Sequence, residues 1–183
     1  MSFNTSDIKD KPAGKYIRPG INEDVKIGPI EGNSTPGKAP YIDIKFYPAN
    51  GKVEDATRSR FYMSEKAAKK TLEKFNHLAT KVVTKEEFDA VGSQSSTVEQ
   101  YAQKLNALLS GKVVPRMKFV AEEYKNQSGD IKVRPQVGFV PFAEASKETP
   151  TALKFDLTSK YDNKKYATPD MEVTAGATDD LPF

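Results

Sequence analysis

Residues 41–63 read YIDIKFYPANGKVEDATRSRFYM, and the alternation in this stretch decides the fold. Ile42, Ile44 and Phe46 fall on one side of an extended chain. Tyr41, Asp43, Lys45 and Tyr47 fall on the other. Asn50-Gly51, with Pro48 and Ala49 before it, is a hairpin-loop signal. TRSRFYM then resumes the alternation, with Phe61 and Met63 inward and Arg58, Arg60 and Tyr62 outward. The stretch therefore predicts a β-hairpin with one apolar face and one face of bases and tyrosines.

Working outward, YIRPGINEDVKIGPIEG holds a turn at Pro19-Gly20 and a short strand around Val25–Ile30, and GNSTPGKAP is a loop by composition. Residues 1–14 are polar and broken by Pro-Ala-Gly, and are expected to form a flexible arm. After the hairpin the period changes. Ser64 is a candidate N-cap, and Leu72, Phe75, Leu78, Ala79 and Val82 recur at helical spacing. Thr84 with Glu87 predicts a capping box, flanked by Val83 and Phe88 where a hydrophobic staple would sit. Ser96 with Glu99 predicts a second box, and Val98, Tyr101, Ala102, Leu105, Leu108 and Leu109 give that helix an apolar stripe ending at Gly111. Strands then return. VPRMKFVAEEY sets Met117, Phe119 and Ala121 against Arg116 and Lys118. After a turn at 127–130, DIKVRPQVGFVPF sets Ile131 and Val133 against Lys132 and Arg134, with Pro135 and Pro141 favouring an edge or a bulge. ALKFDLTSKY alternates enough for one more short strand, and the rest of 146–183 is expected to be mostly disordered.

Composition narrows the chemistry. The 183 residues suit one domain, and no apolar run reaches the roughly 18 residues of a membrane span, so no membrane association is expected. The N-terminus lacks a hydrophobic signal region, and a cytoplasmic protein is the simplest expectation. With no cysteine there are no disulfides, thiolate metal sites or cysteine nucleophiles. The single histidine, His77, sits in a helix beside Leu78 and reads as structural. No GxSxG or GxxxxGK[ST] context exists, and the acid pairs Glu86-Glu87 and Glu122-Glu123 are adjacent, so their side chains diverge. The chain is therefore expected to be no enzyme and to need no cofactor or metal.

The net charge of +3 hides an asymmetry, since residues 146–183 carry five Lys against seven Asp or Glu. A basic body suits a polyanion. The outward strand positions collect Lys26, Lys45, Arg58, Arg60, Arg116, Lys118, Lys132 and Arg134, with Tyr41, Tyr47 and Tyr62 among them, against the acids Asp43 and Glu122. Bases neutralise phosphates, and flat rings stack on bases that are not already stacked in a duplex. These eleven basic and aromatic residues are the expected single-strand-binding set.

Three strands, a helical insertion over 64–111 and two further strands match the OB-fold, a five-stranded Greek-key barrel, placed here at 15–145. The chain then ends Asp179-Asp180-Leu181-Pro182-Phe183 behind an Ala/Gly/Thr spacer. This resembles the acidic tip of bacterial and phage single-stranded DNA-binding proteins, which end in several Asp, an apolar residue, Pro and Phe. The body, with its large helical insertion, is similar to divergent phage-encoded members. The resemblance implies coating of single-stranded DNA during replication, recombination and repair, in a bacterial host cytoplasm. It also implies recruitment of replication proteins such as polymerase, helicase or primase through residues 179–183. Two other readings stay open: a protein-interaction decoy that presents the tip without binding DNA, and an RNA-binding or strand-annealing protein.

Overall fold

The computed structural model describes residues 16–125, 127–129 and 131–154. Six strands and three helices follow one another as β1 (Gly20–Asn33), β2 (Tyr41–Pro48), β3 (Thr57–Tyr62), α1 (Glu65–Ala79), α2 (Lys85–Ser93), α3 (Val98–Leu109), β4 (Val113–Lys125), β5 (Ile131–Val137) and β6 (Ala143–Glu144). The strands form one antiparallel sheet in the order β3-β2-β1-β4-β5, with β6 added to β4. The expected element order holds; the two-residue β6 is an addition.

The hairpin forms in the anticipated phase. Ile42, Ile44 and Phe46 are fully buried, and Phe61 nearly so. Phe46 of β2 meets Phe119 of β4 edge-to-face at 5.5 Å, so the inner side chains of β2 and β4 touch across β1. β1 is longer than expected because it serves two partners, β4 and β2. Its register shifts between Ile27 and Ile30. Beyond the end of the β4 ladder, the Ile30 amide donates instead to the Asn106 side chain of α3, at 2.9 Å. Gly32 admits α3 to the sheet: a Cβ there would lie 2.8 Å from the Val98 carbonyl oxygen.

The helices cover the inner face through Phe75, which packs at 5.1 Å on Phe61 and at 6.2 Å on Tyr101. Phe75 and Leu78 set the rotation of α1, and that rotation turns Thr71 inward and Leu72 outward. Leu72 is therefore exposed, against expectation. The Thr71 hydroxyl is satisfied by donating to the Tyr62 carbonyl at 2.7 Å. Ser64 is the N-cap of α1 by position but makes no side-chain cap bond. The Thr84–Glu87 capping box is complete in both directions. The Ser96–Glu99 box is corrected by one residue. Thr97 caps α3 by accepting from the Gln100 amide at 3.2 Å, and Glu99 is left to accept from the Ser34 hydroxyl.

The sheet path is open, since no backbone ladder joins β3 to β5, but three bonds involving side chains span those two strands. Thr57 Oγ1 donates to the Pro135 carbonyl at 3.2 Å, Gln136 Nε2 to the Arg58 carbonyl at 3.3 Å, and the Val137 amide to Ser59 Oγ at 3.2 Å. Pro135 is tolerated here because a strand residue points its N and its carbonyl to the same side, and its carbonyl faces β3 rather than the β4 ladder.

The body also runs beyond the expected boundary at 145. Phe142 is buried, β6 follows, and residues 145–154 return along the sheet with Leu153 only 5% exposed. Residues 151–154 are not a strand. The remainder of the stretch read as a strand, the N-terminal arm and the rest of the acidic tail lie outside the described residues.

Candidate nucleic-acid interface

The β2–β3 register builds a ladder on the outward face. Tyr41 stands opposite Tyr62, Asp43 opposite Arg60, and Lys45 opposite Arg58. Asp43 is nearly buried between the two arginines. It accepts from Arg60 Nε and Nη2, both at 2.9 Å, and lies 3.6 Å from Arg58 Nη1. These hydrogen bonds hold the Arg60 pKa above its ordinary value despite partial burial. Arg60 Cζ also sits over Tyr41, 3.7 Å from the ring centroid, and Tyr41 meets Tyr62 edge-on at 6.4 Å. A planar guanidinium stacked on a ring and clamped by a carboxylate is pre-organised, with little rotamer freedom left to lose.

This ladder forms one wall of a groove of about 590 Å³ between β3 and the β4–β5 pair. Arg58, Arg60 and Tyr62 line it from β3, Lys118 and Glu122 from β4, and Arg134 from β5. Lys74 of α1 and residues 138–140 close one end. The lining carries five cationic side chains and one acid, Glu122, which accepts from Arg134 Nε at 2.7 Å.

The expected residues divide into groups. Arg58, Arg60, Tyr62, Lys118 and Arg134 share the groove, and Tyr41 and Lys45 adjoin it through the ladder. Lys26 and Tyr47 face each other on β1 and β2, with the ammonium 5.9 Å from the ring centroid, and lie outside the lining. Lys132 is exposed on β5 opposite Tyr124, also outside it.

Arg116, also in the expected binding set, stands apart from the groove. It points to the outward side but is 7% exposed, because residues 142–154 cover it. Its guanidinium donates to Glu144 at 2.9 Å, to the Lys147 carbonyl at 2.8 Å and to the Thr149 carbonyl at 3.0 Å, with Glu23 at 3.4 Å. Lys118, 8% exposed, donates to the Lys154 carbonyl at 2.7 Å. An outward position in a strand does not ensure access when a later segment crosses the sheet. Asp179, Asp180, Leu181, Pro182 and Phe183 lie outside the described residues.

Two groove residues escaped the sequence reading. Lys74 lies on a helix, outside the strand positions that the alternation selects, although its spacing from Thr71 and Leu78 puts it beside the buried stripe. Phe139 lay in GFVPF, where Gly138 and Pro141 were the cue that pairing stops and a side chain is released from the sheet. His77, in turn, accepts at Nε2 from the Phe142 and Ala143 amides, at 3.2 and 3.1 Å, and so fastens the start of the covering segment. Burial, then the nearby Lys81 charge, lower its pKa below the ordinary 6.5.

Among the described residues no three His, Cys, Asp or Glu side chains gather as a metal site, and no helix is long and apolar enough to cross a membrane. No protein-family model and no curated protein matches the chain.

Proposed function

We propose that the chain is a non-enzymatic single-stranded DNA-binding protein whose body is a partly open OB-fold. The observation that carries this reading is the groove, where cations from β3, β4, β5 and α1 meet Tyr62 and the exposed Phe139 against a single lining acid. Phosphates supply the missing negative charge, and unpaired bases have rings to stack on. The OB-fold reading is supported by the helices placed between the third and fourth strands and by the three bonds that draw β3 and β5 together. Residues 179–183, with two Asp before Leu-Pro-Phe, would then recruit replication proteins: the acids pair with a basic rim, and Pro182 lowers the ordering cost of docking Phe183.

The test is a titration of end-labelled oligonucleotides, since the chain has no Trp to report binding. Single-stranded DNA binds more tightly than duplex or RNA, and log affinity falls with log salt by about 0.7 per phosphate contacted. No binding at low salt overturns the reading in favour of a decoy, and a preference for RNA or faster pairing of complementary strands overturns it in favour of the annealing protein. Deleting 179–183 leaves DNA affinity equal or slightly higher and abolishes capture of replication enzymes; lost DNA binding would refute that division of labour.

A further inference from the structure

The groove cations differ in one respect. Arg58 and Arg60 share Asp43, Arg134 has Glu122, and Lys118 donates to a backbone carbonyl. Lys74 takes part in no ion pair or hydrogen bond among the described residues. Its ammonium lies 5.9 Å from the Phe61 ring centroid and 5.4 Å from that of Phe139. The side chain is half-buried, and that burial pulls its pKa below the ordinary 10.5. A half-buried ammonium set against two rings, with no carboxylate paired to it among the described residues, gains from an anion.

Phe139 is the complementary oddity. It is 73% exposed, the highest value among the large hydrophobic side chains described. Its neighbours are pinned. Gly138 is packed so closely that a Cβ there would lie 3.1 Å from Val120 Cγ1, and Phe142 is 1% exposed. The backbone therefore holds the ring up at the groove's end with most of its surface open, while Lys74 occupies one side of it.

We propose that Lys74 and Phe139 form one nucleotide subsite at the α1 end of the groove, in which an unpaired base stacks on the open side of Phe139 and the adjoining phosphate takes the Lys74 ammonium. This rests on the single-strand reading above and adds to it a register. One end of the bound segment is fixed by a residue pair drawn from α1 and from the turn after β5, not from the strand ladder. A duplex does not fit, because its bases are already stacked.

The experiment compares wild type with Lys74→Met, Lys74→Arg and Phe139→Leu, using labelled oligo-dT and an abasic oligonucleotide of the same length across a salt series. Lys74→Met weakens binding to both oligonucleotides and lowers the salt slope by about 0.7, one phosphate contact, while Lys74→Arg keeps the slope. Phe139→Leu leaves the slope unchanged and weakens oligo-dT binding by about fivefold to a hundredfold, the range for one stacked base, with no effect on the abasic strand. Unfolding midpoints within a degree or two of wild type confirm that folding is not the cause. If both variants bind oligo-dT like wild type while Arg60→Ala does not, the subsite is refuted and the single-strand reading stands. If Phe139→Leu weakens abasic and oligo-dT binding alike, stacking is refuted. If wild type binds no single strand, the underlying reading fails instead.

Discussion

Arg60 and Arg116 are the same residue type, both point outward from strands of one sheet, and both meet a carboxylate, yet they do opposite things. Arg60 stays 31% exposed at its side chain and presents a stacked guanidinium to a groove. Arg116 is 9% exposed at its side chain and gives its donors to Glu144 and to the carbonyls of Lys147 and Thr149. One faces an open groove; the other fastens the chain to itself. The difference lies in residues 142–154, which cover Arg116 and Lys118 on β4 and, among the described residues, do not reach the outward face of β2 and β3. Charge on a strand face thus becomes function or structure according to what a distant segment covers.

The largest effect expected from breaking this contrast is at Arg116. Arg116→Met leaves Glu144 with only its bond from the Ala152 amide and removes the ties to the Lys147 and Thr149 carbonyls, and should cost roughly 2–4 kcal/mol in urea unfolding, less than for a fully buried pair because Glu144 keeps some solvent. On the proposed function, the folded fraction should bind single-stranded DNA with near wild-type affinity. A stable Arg116→Met protein that cannot bind would place Arg116 in the interface and erase the contrast.

Arg60→Ala comes next and should move both quantities. It removes two charge-assisted bonds to Asp43, worth roughly 1.5–3 kcal/mol each for hydrogen bonds to charged groups, with Arg58 left to compensate in part. It also weakens single-strand binding about tenfold, close to 1.4 kcal/mol. Adding Asp43→Asn should restore part of the stability and none of the affinity. Full recovery of affinity in the double variant would show that Arg60 acts only through the fold.

How far the sequence reached follows the same line. Alternation in 41–63 was legible because the inward residues of each strand repeat every second position, on both sides of a loop that holds a 3-10 turn at Val53–Asp55. The boundary at 145 was not legible, because the segment 146–154 is held largely by groups far off in the chain, Arg116, Lys118 and Asp24, and no local period reports that. Lys74 and Phe139 were missed for a related reason. Strand periodicity selects residues on strands, whereas these reach the groove from a helix and from a turn. The Thr97 cap was hidden by a preceding Ser that satisfies the same pattern one residue early.

A smaller effect is expected from His77, whose neutral ring receives the Phe142 and Ala143 amides. Its folded pKa is depressed, so the unfolded chain binds the proton first as pH falls. The stabilisation is fully present above about 6.5, is lost as pH drops through the folded pKa, and is absent below it. Because the chain has one histidine, the pH dependence of the urea midpoint just below about 6.5 should flatten in His77→Leu. An unchanged slope in that variant would detach His77 from the anchoring of the segment.

The smallest effect sharpens the comparison most finely, because it falls within one strand. Lys132 and Arg134 lie two apart on β5, with the same outward phase, but only Arg134 lines the groove. Lys132 is exposed, so its field is screened over about 8–10 Å at ordinary salt. Lys132→Ala should change single-strand affinity by less than about twofold and leave the salt slope within error, whereas Arg134→Ala should lower the slope by about 0.7. Net charge falls by one in both variants, so a binding surface that merely attracted polyanions would respond equally to each. Equal losses would mean that diffuse charge, not the groove, governs affinity; unequal losses would show that position on the sheet decides which of two neighbouring cations meets a phosphate.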